Sequence, residues 1–68
     1  MKIEIYEADP FTQRKDKLLA ALESDYRFQK GDEIFLEEGG RALKVRVSYV
    51  QVRIRGGGLE QELLVLRI

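Results

Sequence analysis

Between Gly39 and Leu59 the chain carries Arg41, Lys44, Arg46, Arg53 and Arg55 and no acidic residue. Basic side chains on a curved sheet, with Phe35 or Tyr49 nearby, could track a phosphate backbone and stack a base. That is the chemistry of a sequence-tolerant RNA or single-stranded DNA binder. The opposing reading is that each cation faces a glutamate on a neighbouring strand. Acids stand on both sides of the stretch, at Asp32, Glu33, Glu37, Glu38, Glu60 and Glu62. Charges paired in that way form a solvated sheet face worth little energetically, and exposed charge on strands guards against edge-to-edge aggregation. Which acid meets which base decides between the two.

Catalysis has little to work with. The chain has no histidine and no cysteine, so the usual base, nucleophile and transition-metal ligands are missing. Ser24 and Ser48 have no base to activate them other than a lysine or carboxylate whose place the sequence does not fix. Glu33, Glu37 and Glu38 offer oxygen to a hard cation. Neighbours in a strand point to opposite faces, however, so Glu37 and Glu38 cannot converge on one ion. Gly56-Gly57-Gly58 invites a phosphate-loop reading, but such loops lead directly into a helix N-terminus. Here Leu59 opens a strand pattern. A non-enzymatic protein without cofactor or metal is expected.

The C-terminal run Leu63-Leu64-Val65-Leu66, with Ile68, puts apolar groups on both faces of a strand. A helix can cover one face; the other must be closed by barrel curvature or by a second protein chain. Unmet apolar surface marks an interaction site, and a two-fold homodimer is the commonest solution. Leu64, Leu66 and Ile68 are the expected protein-contact residues. The function expected is therefore binding or assembly, as a homodimer or an accessory subunit. Nucleic-acid binding through the five cations is the alternative.

A β-hairpin positions these groups. Glu33–Glu38 alternates polar and apolar, Gly39-Gly40 follows, and alternation resumes at Arg41; two residues free to take positive φ between such runs signal a tight turn. A Gly39-Gly40 loop sets Glu38 opposite Arg41, Leu36 opposite Leu43, Ile34 opposite Val45 and Glu33 opposite Arg46. The second arm changes phase: Leu43, Val45, Val47 and Tyr49 share one face, then Val50, Val52 and Ile54 share one. Either a β-bulge near Ser48–Val50 inserts a residue, or the strand is buried on both faces. The glycine triplet makes a second hairpin in one of two registers. A Gly57-Gly58 loop pairs Arg55 with Glu60 and Arg53 with Glu62, whereas a Gly56-Gly57 loop pairs Arg53 with Glu60 and Ile54 with Leu59.

Upstream, Lys2–Glu7 reads as a strand with Ile3 and Ile5 on one face. Asp9-Pro10 reads as a helix start, a cap followed by a proline at the first helical position. Phe11, Leu18 and Leu22 then lie along one helical stripe, with Leu19 at its edge. Arg14, Lys15 and Lys17 on that helix could extend a basic surface. Tyr26 and Phe28 sit at strand spacing before a turn at Lys30-Gly31-Asp32, where Gly31 suits a left-handed conformation and Asp32 can bond the backbone just after it. The fold expected is α+β, in the order β-α-β-β-β. It is an antiparallel meander with one helix packed on it, or a half-open small barrel.

With 68 residues this reads as one domain, residues 1–68, and no cysteine staples it. Twelve basic and twelve acidic side chains cancel, which gives no global electrostatic case for nucleic acid or an acidic membrane. The opening Met1-Lys2-Ile3-Glu4 enters an alternating pattern at once and has no signal-peptide form. The longest apolar run is too short to span a bilayer, and a cytoplasmic protein is expected.

Overall fold

In a computed structural model, which describes residues 1–38 and 40–68 but not the Glu38 side chain, the chain forms five strands. They are β1 (Lys2–Ala8), β2 (Lys15–Glu23), β3 (Glu33–Glu38), β4 (Arg41–Arg55) and β5 (Gly58–Arg67). One sheet holds them in the order β2-β1-β5-β4-β3. β1 runs parallel to β5, and every other neighbouring pair is antiparallel. The first and last strands of the chain thus lie beside each other, inside the sheet. Ile3 and Ile5 of β1, Val45 and Val47 of β4, and Leu63 and Val65 of β5 bury one face, and the sheet curls into a half-barrel about them.

The β3–β4 register is the one the alternation dictates, from Glu33 opposite Arg46 to Glu38 opposite Arg41. Of the expected turn, Gly40 has φ 78°, and Gly39 lies outside the described residues. The phase change in β4 is a bulge. Val47 stands opposite Val65 and Tyr49 opposite Leu64, which leaves Ser48 without a cross-strand partner. Its hydroxyl donates instead to the Leu64 carbonyl at 3.1 Å. The extra residue moves Val50 to the core side, where it packs against the buried cluster. The glycine triplet turns at Gly56-Gly57, both with positive φ, and pairs Arg53 with Glu60 and Ile54 with Leu59.

The expected helix is absent, and so is the α+β architecture: no helix occurs among the described residues. Nor is the sheet a pure antiparallel meander, since β1 joins β5 in parallel. Asp9 does accept hydrogen bonds from the N–H groups of Phe11 (2.8 Å) and Thr12 (3.1 Å), as a helix cap would. One helical turn follows, closed by Gln13 N–H donating to the Asp9 carbonyl at 2.7 Å. There Gln13 takes φ 59°, and Asp9 N–H donates to the Arg14 carbonyl, which makes the turn a hairpin loop. Lys15–Glu23 then pairs along β1. Without it, β1 would expose a row of unpaired backbone groups beside the core. Two register shifts, which leave Leu19 and Asp16 unpartnered, break the period-two pattern in β2. The residue spacings that remain imitate a helix. Its supposed apolar face is not buried: Phe11 is 93% exposed, and Leu18 and Leu22 are exposed as well.

What covers the core in place of a helix is the segment between β2 and β3, residues 24–32. These two strands are the opposite edges of the sheet, so the connection must cross it. Phe28 packs against the buried cluster and meets Tyr26 edge to face, with ring centroids 4.6 Å apart. No strand forms at Tyr26–Phe28. Gln61, buried on β5, donates from its amide to the Tyr26 carbonyl at 3.0 Å. The crossing ends where Gly31 N–H donates to the Val47 carbonyl at 2.8 Å. Gly31 has φ 97°, which favours glycine. The Asp32 carboxylate accepts from Gln29 N–H (2.9 Å), behind it in the chain rather than ahead.

Gln13 bears a side chain in the left-handed region, which costs an L-residue about 1–2 kcal/mol. Gln13→Gly is therefore expected to raise stability in urea unfolding by about 0.5–1 kcal/mol, net of the added chain entropy of glycine. A loss of stability would show that the loop is not held in this conformation.

Candidate interaction surface on the outer face

The sheet face turned away from the core is set by cross-strand pairing. Tyr49 of β4 is opposite Leu64 of β5, Leu64 is opposite Tyr6 of β1, and Tyr6 is opposite Leu18 of β2. One row of apolar and aromatic side chains therefore crosses four strands. Leu66, opposite Arg46, extends it. Leu64 and Leu66 are half-buried, whereas Ile68 is exposed. A groove of about 550 Å³ lies here, lined by Ala8, Gln13, Lys30, Tyr49, Leu64 and Leu66. Two of the three expected contact residues thus line a real concavity. Tyr6, Ala8 and Leu18 were missed. The signal for Tyr6 was its place in β1, out of phase with Ile3 and Ile5, but its neighbours come from remote parts of the chain.

Charge on this face is paired. Lys44 Nζ lies 3.1 Å and Arg46 Nη2 3.7 Å from the Glu33 carboxylate. The Lys44 hydrogen bond and charge, with Arg46 adding to them, hold the Glu33 carboxyl below the usual glutamate range. Glu62 receives Arg53 at 3.4 Å and Lys15 at 3.2 Å, and the Lys15 ammonium also stands 4.4 Å from the centre of the Tyr6 ring. Arg55 is opposite Gly58. The five cations of the basic stretch do not share one face. Lys44, Arg46, Arg53 and Arg55 alternate with the core-facing residues of β4. Arg41 belongs to the core-facing set, opposite Glu38.

Arg41 instead lines a cleft of about 500 Å³ at the open side of the half-barrel. There Lys17, Leu18 and Leu19 of β2 stand across from Leu36 of β3 and Leu43 of β4, so Leu18 borders both this cleft and the outer-face row. Arg67, also on the cleft, is held by Glu7 at 2.7 Å. Among the described residues no cluster of acidic side chains is arranged to hold a metal ion, and no helix is long and apolar enough to cross a membrane. Comparison with known proteins finds no matching family model, no similar curated protein and no similar solved structure.

Proposed function

We propose that this chain is a small, non-enzymatic binding or assembly module of the cytoplasm that takes a protein partner on its outer face. The observation that carries the reading is the row Tyr49–Leu64–Tyr6–Leu18 with the groove beside it. Apolar side chains lined up on the face opposite the core contribute nothing to the core, and grooves of this kind receive apolar anchors. Protein is favoured over nucleic acid because Lys44, Arg46 and Arg53 already hold carboxylates. Glu33, shared by Lys44 and Arg46, and Glu62, shared by Lys15 and Arg53, offset half of these four positive charges, which weakens the potential that would follow phosphates. The absence of cysteine fits a reducing compartment.

Two measurements test it together. In an amide-shift titration with short random-sequence RNA at two salt concentrations, Arg41–Arg55 is expected not to move. Salt-sensitive shifts there would give the surface to nucleic acid instead. In parallel, proteins retained by the immobilised chain are expected to be lost with Leu18→Glu and with Leu66→Glu, while exposed substitutions on the cleft side, such as Lys17→Glu, keep them. Retention indifferent to Leu18 and Leu66 would exclude this face.

A further inference from the structure

β4 is much longer than the strand that covers it. β3 pairs with it only from Arg41 to Arg46, and the turn at Gly31–Asp32 takes both backbone groups of Val47. Past the bulge, Tyr49–Arg55 pairs with β5 on one side. On the other, no backbone partner exists among the described residues. The direction of the open groups follows from Val47. That residue faces the core and turns its N–H and C=O toward the β3 side. In a strand the side-chain face and the hydrogen-bonding side are locked together. Val50, Val52 and Ile54, opposite the core-side residues Leu63, Gln61 and Leu59, therefore aim their N–H and C=O groups out of this edge. Val52 is 58% and Ile54 73% exposed. A long, apolar, unpaired edge is a template for another strand.

We infer that the occupant is the same edge of a second copy, antiparallel, about a two-fold axis at Val52. The edge is complementary to itself in that register. Val52 meets Val52, Val50 meets Ile54, Gln51 meets Arg53 and Tyr49 meets Arg55, so no cation faces a cation. Val52 and the two Val50–Ile54 pairs supply about six inter-chain hydrogen bonds. Moving the register one pair toward the hairpin tip sets Arg53 opposite Arg53, a like-charge pair that destabilises. Moving it the other way draws the bulge at Ser48 into the ladder. In the complementary register Ile54 of the second copy lies beside Val50, which lines a cavity of about 280 Å³ with Arg27, Phe28, Gln29, Val52 and Leu59. The two half-barrels join into one continuous sheet. This goes beyond the outer-face reading and uses a different surface.

Sedimentation of the full chain over a wide concentration range tests it. A dimer is expected, together with its loss in Val52→Lys, where two ammonium groups would meet on the axis, and with Leu18→Glu and Leu66→Glu remaining dimeric. The double variant Gln51→Cys/Arg53→Cys is expected to cross-link between copies in oxidised glutathione. Gln51 and Arg53 meet as a non-hydrogen-bonded antiparallel pair, whose Cα atoms are about 4.5 Å apart with side chains close enough for a disulfide. A monomeric wild type overturns the inference, as does a Val52→Lys variant that dimerises like wild type. If Val52→Lys fails to fold, absence of the cross-link in Gln51→Cys/Arg53→Cys overturns it alone. None of these results bears on whether Leu18 and Leu66 hold a protein partner.

Discussion

Leu63→Ala is expected to remove most of the chain's stability at room temperature. Leu63 is fully buried and lies between Ile5 on β1 and Val50 on β4. Leucine-to-alanine substitutions at such positions cost about 2–5 kcal/mol, through lost burial and the cavity left behind. A domain of this size without disulfide or metal has only about 3–5 kcal/mol to lose. The neighbouring Leu64→Ala acts on the outer face, where the side chain is half-buried, and is expected to be the milder change. Urea unfolding of the two variants, with amide-peak dispersion as the second readout, reads the difference directly. The opposite ranking would mean that the core lies on the other side of β5.

The second large effect is expected at Glu62. Its side chain is 13% exposed and accepts from both Lys15 and Arg53, at 3.2 and 3.4 Å. These contacts tie β2, β4 and β5 together across the outer face. Hydrogen bonds to charged groups contribute about 1.5–3 kcal/mol each. The two cations are more open to solvent than the carboxylate, which favours the lower end of that range. Glu62→Gln is expected to cost about 1–2 kcal/mol. Glu62→Lys, which would set three cations together, is expected to cost more and to become milder in high salt as the repulsion is screened. Equal losses for the two variants, independent of salt, would show that packing rather than charge holds this junction.

The correctly anticipated features share a physical basis: each is written in residues close together in the chain. The Glu33–Arg46 hairpin needed only alternation and a glycine pair, because side chains in a strand change faces at every residue. The phase change in β4 was legible for the same reason, as a break in that alternation. Leu64 and Leu66 could be assigned to the face opposite Leu63 and Val65 by parity alone. The identity of their neighbours could not. Tyr6 and Leu18 reach them through the parallel β1–β5 pairing and the β1–β2 hairpin. The first of these joins segments almost a full chain length apart and has no local signature.

The helix expected over Phe11–Glu23 shows the limit most clearly. Asp9, Pro10 and a run of good helix formers describe a helix start correctly as local chemistry, and one turn of it does form. Beyond Gln13 the decision belongs to β1, whose free edge must find hydrogen-bond partners, and pairing with Lys15–Glu23 supplies them. Propensity differences of about 0.7 kcal/mol or less per residue cannot outweigh a row of backbone groups left unpaired beside a core. Local patterning thus determined by itself the β3–β4 register, the phase change in β4 and the faces of β5, because those depend on neighbours in sequence; that the phase change is a bulge was decided by the β4–β5 pairing. Only the tertiary structure decided the state of β2, the central β1–β5 pairing and the row across the outer face. Each of these depends on which backbone groups and side chains remain unsatisfied once the remote strands have met.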